Sequence, residues 1–180
     1  MRELDSSKKN FYKTLDIILN KRRNKINSNI GSVINIIKDV KKNGDKALLK
    51  YEKKFNKNNV LIPSNKRISK SINLLDKKVK KAIDLAFDRI FKFHSFQKFK
   101  NIKYTDKFKN KLEYRYSPID SVAIYVPGSS ASYPSSVLMN AIPAMVAGVR
   151  RIVMINPNYQ GKLNPAVLYA ARKCKIKEIY

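Results

Sequence analysis

Cysteine and histidine are almost missing from this sequence, which holds one of each in 180 residues, Cys174 and His94. A lone cysteine makes no internal disulfide and suits a reducing compartment. With so few soft donors, a zinc site built from this chain alone is not expected. Acidic residues are scarce as well, 13 against 39 basic, for a net charge of +26. No apolar run approaches the roughly 20 residues that a membrane helix needs. The opening, Met1-Arg-Glu-Leu-Asp-Ser-Ser7, lacks the apolar core of a secretory signal. These absences predict a cytoplasmic protein with no membrane partner.

What is present argues for a folded chain. Hydrophobic residues make up 43% and aromatics 10%, above the range of disordered tails. The length allows one domain or two small ones. Thirty of the 39 basic residues are lysine, scattered without an arginine-rich stripe or an aromatic-interleaved patch. Two readings of that charge stand side by side. Lysine rises together with asparagine and isoleucine, whose codons are A/T-rich, so base composition accounts for it without a nucleic-acid role. The alternative is a non-catalytic basic module that binds nucleic acid or another polyanion.

The first two-thirds reads as helical. Phe11, Leu15, Ile18 and Leu19 recur at helical spacing within Asp5–Arg23, and Val33, Ile36, Ile37 and Val40 within Ser32–Lys42. Asn43-Gly-Asp45 predicts a break, with Gly44 as a left-handed C-cap and Asp45 as the next N-cap. The following helix carries Ala47, Leu48, Tyr51 and Phe55. Pro63-Ser64 opens a short helix with Ile68 and Ile72, and Asp76 caps a long one lined by Val79, Ile83, Ala86, Ile90 and Phe93. From Lys103 to Tyr116 the residues alternate, which predicts strands.

At Ser121 the texture changes: lysine disappears until Lys162 and apolar runs become continuous. Ser121–Val126 and Ile152–Ile155 read as strands of the buried, parallel kind. Between them lie a loop, Pro127–Pro134, and a helix capped by Ser135 or Ser136, stopped by Gly148, with Pro143 predicting a kink. Asn164-Pro165 opens another helix, and Lys175–Tyr180 begins a third strand. The fold class expected is α/β: a helical N-terminal part, then the start of an incomplete Rossmann-like parallel βαβαβ domain. In such units ligands lie beyond the carboxyl ends of the strands.

The loop after the first strand therefore carries the chemistry. It joins a strand to a helix N-terminus, where a phosphate is favoured. It has neither the glycine-rich dinucleotide fingerprint nor the lysine of a P-loop, so ligand loop and plain connection both remain open. Its serines lack the strained Gly-x-Ser-x-Gly elbow and a partner histidine. His94, in Phe91-Lys-Phe-His-Ser-Phe-Gln97, reads as a packed and hydrogen-bonded histidine. Cys174 reads as a buried small hydrophobe, and Arg22-Arg23 and Arg150-Arg151 as helix-end or strand-edge charges.

Taken together, these residues resemble histidinol dehydrogenase. The match is carried by Tyr125-Val-Pro-Gly128, Ser132-Tyr-Pro-Ser-Ser-Val-Leu-Met-Asn-Ala-Ile-Pro-Ala144, Ala147-Gly-Val149, Ile152-Val-Met154, Asn164-Pro-Ala-Val-Leu168 and Glu178-Ile-Tyr180. Weaker echoes include Asn43-Gly-Asp-Lys-Ala-Leu48 and Phe93-His-Ser-Phe-Gln97. The resemblance implies oxidation of L-histidinol to L-histidine by a cytoplasmic, zinc-dependent homodimer that uses two NAD molecules in succession. It places Tyr125, Pro127 and Gly128 at the cofactor. It also implies residues 1–24 as an N-terminal helical segment, 25–120 as the mostly helical part of the first main domain, and 121–180 as the start of the NAD-binding domain. Ser129 departs from the glycine usual in the family. Members of the family are more than twice as long, and their zinc ligands and catalytic glutamate–histidine pair fall beyond the equivalent of Tyr180. No catalytic or metal-binding residue is therefore expected here, and these 180 residues alone are expected to be inactive.

Overall fold

Helix-forming residues with punctuation only at a few Gly, Pro, Asn and Asp positions dictate where the elements stop. The computed structural model describes residues 4–128 and 133–180, and the side chains of all of these except 21–29 and 159. The chain divides after Tyr51 into two compact units. The elements are α1 (Phe11–Asn56), α2 (Asn65–Asn73), α3 (Lys77–Ser95), β1 (Ile102–Thr105), β2 (Lys111–Tyr114), β3 (Ser121–Tyr125), α4 (Pro134–Ala147), β4 (Arg151–Ile155), α5 (Pro165–Lys173) and β5 (Glu178–Ile179).

The first unit is the helical one. The two helices expected before Gly44 are a single run, because the polar stretch between Arg23 and Ser32 contains no proline. Asparagine and serine cost well under 1 kcal/mol each in a helix, less than an interrupted ladder. The start moves from Asp5 to Phe11, since the Asp5 carboxylate is engaged by the Ser7 amide at 3.0 Å and its hydroxyl at 2.7 Å. Gly44 does interrupt the helix, at φ 56°, ψ −138°. That is positive φ but not the left-handed helical basin, so it is a glycine-only hinge rather than the expected C-cap. Asp39 bonds residues on both sides of the hinge: Asn43 at 2.6 Å, Lys50 at 3.2 Å and Tyr51 at 2.8 Å.

In the second unit the expected caps hold. Ser64 accepts from the Arg67 amide, Asp76 from Lys78 and Val79, and Asn164 from Ala166 and Val167 ahead of Pro165. Two details differ. Tyr133, not Ser135 or Ser136, sits at the N-cap of α4, because Pro134 occupies the first helical position where its missing N–H costs nothing. α4 then runs through Pro143 to Gly148 at φ 89°. On α3, Ile83 is buried, while Val79 and Phe93 lie outside the packed face at 40% and 62% exposure.

β1 and β2 form an antiparallel hairpin pairing Ile102 with Tyr114 and Tyr104 with Leu112. β3, β4 and β5 form a parallel sheet in that order, Tyr125 beside Ile155 and Met154 beside Ile179. The core of this unit gathers Ile124, Val126 and Met154 from the sheet with Val137, Leu138, Ile142, Val167, Leu168 and Cys174 from α4, α5 and its end. Both strands were expected to be buried on each face. They alternate instead: Ile124 and Val126 are buried, whereas Tyr125 is 63% and Ile155 41% exposed. Among the described residues the face that carries Ile124 and Met154 packs into the core with α4 and α5, and the face that carries Tyr125 and Ile155 is exposed.

Candidate functional site

Two strands of a parallel sheet end side by side at Tyr125 and Ile155, and the strand period of two decides what each residue meets. Val126 turns into the core with no exposed surface, so Tyr125 before it presents its ring outward. Pro127 is exposed and Gly128 half-buried. The three positions lie close along the chain at the sheet's carboxyl end. Ser129–Ser132 lie outside the described residues, and the substitution at Ser129 with them.

Gly128 is there for space rather than for an unusual φ. A Cβ on it would stand 1.9 Å from the Pro157 carbonyl oxygen and 3.0 Å from the Asn156 amide nitrogen. The loops after β3 and β4 therefore touch backbone to backbone. Asn156 is 1% exposed. Its side-chain amide donates to the Val126 carbonyl at 2.8 Å, and its main-chain N–H to the Tyr180 carbonyl at 2.8 Å. By its sequence, Asn156-Pro157 marks only the end of the strand Ile152–Ile155. The signal that marks more was the proline itself, which removes a donor at a ladder position.

His94 is half-buried, its Nδ1 2.6 Å from the Gln97 Oε1 and its ring edge-on to Phe93. It borders a groove of about 340 Å³ with Gln97, Phe99, Tyr116, Pro143 and Val146. That groove flanks the C-terminal turn of α4, which leads into β4, so it belongs to the opposite end of the strands from Tyr125. Burial pushes the Cys174 thiol up to about 12, which leaves it protonated at neutral pH and a poor metal ligand. Among the described residues no three His, Cys, Asp or Glu side chains gather. A zinc ion therefore finds no fitting donor set there. Arg151 pairs with Glu178 through Nε at 2.7 Å and Nη2 at 2.6 Å, a strand-edge charge as expected.

A profile of histidinol dehydrogenase matches residues 19–180. The chain belongs to the histidinol dehydrogenase family. It is 74% identical over 177 residues to the histidinol dehydrogenase of Pelagibacter ubique (strain HTCC1062), covering 98% of this chain and 41% of that one. It is 45% identical over 149 residues to that of Bradyrhizobium diazoefficiens, covering 81% and 35%. The crystal structure of histidinol dehydrogenase from Elizabethkingia anophelis superposes with a TM-score of 0.79 at 35% identity, covering 84% of this chain and 36% of that one. The chain thus spans about two-fifths or less of these histidinol dehydrogenases. The solved relative supports the mixed architecture, with its three parallel strands.

Proposed function

We propose that this chain forms the cofactor-side portion of an NAD-dependent enzyme that oxidises L-histidinol to L-histidine. The observation that carries this reading is the 74% identity over nearly the whole chain. Tyr125, with Pro127 and Gly128, then borders the cofactor. The exposed ring at the carboxyl end of a parallel sheet suits stacking or hydrogen bonding to a nucleotide, the position where open α/β sheets bind them. When bound, NAD accepts the hydride. What these residues supply is a surface that orients it.

The zinc ligands and the catalytic acid–base residues belong, on this reading, to the part of the relatives that this chain does not cover. The 180 residues alone carry out no dehydrogenation, and the complete enzyme is a cytoplasmic homodimer. Calorimetric titration of the chain with NAD, with and without Tyr125→Ala, tests the cofactor assignment. Equal affinity in the two removes Tyr125 from the site. Histidinol oxidation by the purified chain would overturn the division of labour.

A further inference from the structure

In a parallel ladder every second residue bonds to the two residues that flank its partner on the next strand. The register that pairs Tyr125 with Ile155 puts Val126 opposite Asn156. Half of that bridge is present, the Val126 N–H donating to the Ile155 carbonyl at 2.9 Å. The other half calls for an N–H from residue 157 to the Val126 carbonyl. Residue 157 is proline and has none. The side-chain amide of Asn156 donates to that carbonyl instead, at 2.8 Å.

We infer that Asn156 is a positioning residue: its amide replaces the donor that Pro157 lacks and fixes the Val126–Gly128 segment, and with it the ring of Tyr125. The inference rests on the cofactor role proposed for Tyr125. Three observations support it. The amide is buried, where an unmade bond is costly and a made one holds tightly. The Cβ site of Gly128 lies 3.0 Å from that same amide and 1.9 Å from the Pro157 carbonyl, so the loop packs directly on the pair. The Asn156 main chain donates to Tyr180, so one residue ties the ends of all three strands. Asn156 contacts no reacting atom in this arrangement; it acts through Tyr125.

The test combines amide exchange with NAD titration on the 180-residue chain. Asn156→Asp keeps the shape and removes the donor. Asn156→Ala with Pro157→Ala restores a main-chain donor at 157. In Asn156→Asp, exchange at Val126 should quicken about tenfold, while Ile124 and Met154 in the strand interiors keep their protection. NAD affinity should fall by a similar factor. The double variant should return both towards the parent, which a merely space-filling asparagine would not allow. Unchanged exchange at Val126, or a loss spread evenly over the sheet, overturns the inference. If the parent chain shows no NAD binding, the cofactor assignment of Tyr125 fails, while the exchange pattern still decides whether Asn156 fixes the loop.

Discussion

The hydroxyl of Tyr169 on α5 donates to the carboxylate of Asp84 on α3, 3.1 and 3.0 Å from its two oxygens. Lys173, one turn further along α5, reaches the same carboxylate at 2.9 Å. The lysine is the main reason Asp84 titrates below its usual range; burial is the main reason Tyr169 titrates above its own. This cluster joins two helices that pack on each other. Because the carboxylate is partly exposed, Asp84→Ala should cost only on the order of 1 kcal/mol. A double-mutant cycle with Tyr169→Phe in urea unfolding should show coupling between the two. Strict additivity would mean that the bond contributes nothing.

Asp39 is held down to about 2, first by Asn43, then by Tyr51 and Lys50. A carboxylate depressed in the folded state stabilises it above the unfolded value, near 4, and loses that contribution as pH falls to about 2. Helicity followed by circular dichroism should therefore drop on acidification in that window. Asp39→Asn should blunt the drop. An identical acid limb in both proteins would show that the contacts around the Gly44 hinge do not hold it.

Two glycines should answer alanine in opposite ways. Nothing lies within 4 Å of a Cβ at Gly31, inside α1, so Gly31→Ala should stabilise by about 0.5–1 kcal/mol. Gly128→Ala meets a main-chain oxygen at 1.9 Å and should lower the melting temperature and displace the loop. Comparable melting temperatures for the two variants would refute the close approach.

Cys174 is 2% exposed and its thiol is pushed up to about 12 by burial. Alkylation at neutral pH should be slow in the native protein and fast in denaturant, since only the accessible thiolate reacts. Mass spectrometry after a timed iodoacetamide pulse measures both rates. Equal rates would place the thiol at the surface.

The net charge of +26 should give binding to heparin or DNA that is indifferent to sequence and weakens steeply with salt. Elution near physiological ionic strength is the expected result. Retention well above it, with a sequence preference, would favour the basic-module alternative.

Much of this fold was legible because its boundaries are set by single residues. Ser64, Asp76 and Asn164-Pro165 start helices through their own side chains or ring, and Gly148 ends one at positive φ. The strands at Ser121 and Arg151 announced themselves by composition. Propensity misled between Arg23 and Ser32, where Asn, Ser and Gly31 weaken a helix but no proline stops it. Apolar runs misled about faces: an unbroken run such as Val122–Val126 does not record which neighbours cover it, and Tyr125 lies uncovered among the described residues. At the candidate site the motif located Tyr125, Pro127 and Gly128, but the bond from Asn156 to Val126 depends on register between strands thirty residues apart, which no local pattern encodes.

The substitution of a side-chain amide for a proline's missing N–H has an evolutionary corollary. Positions 156 and 157 should vary as a couple across related sequences: a short side chain with a donor at 156 wherever proline follows, and free choice at 156 wherever it does not.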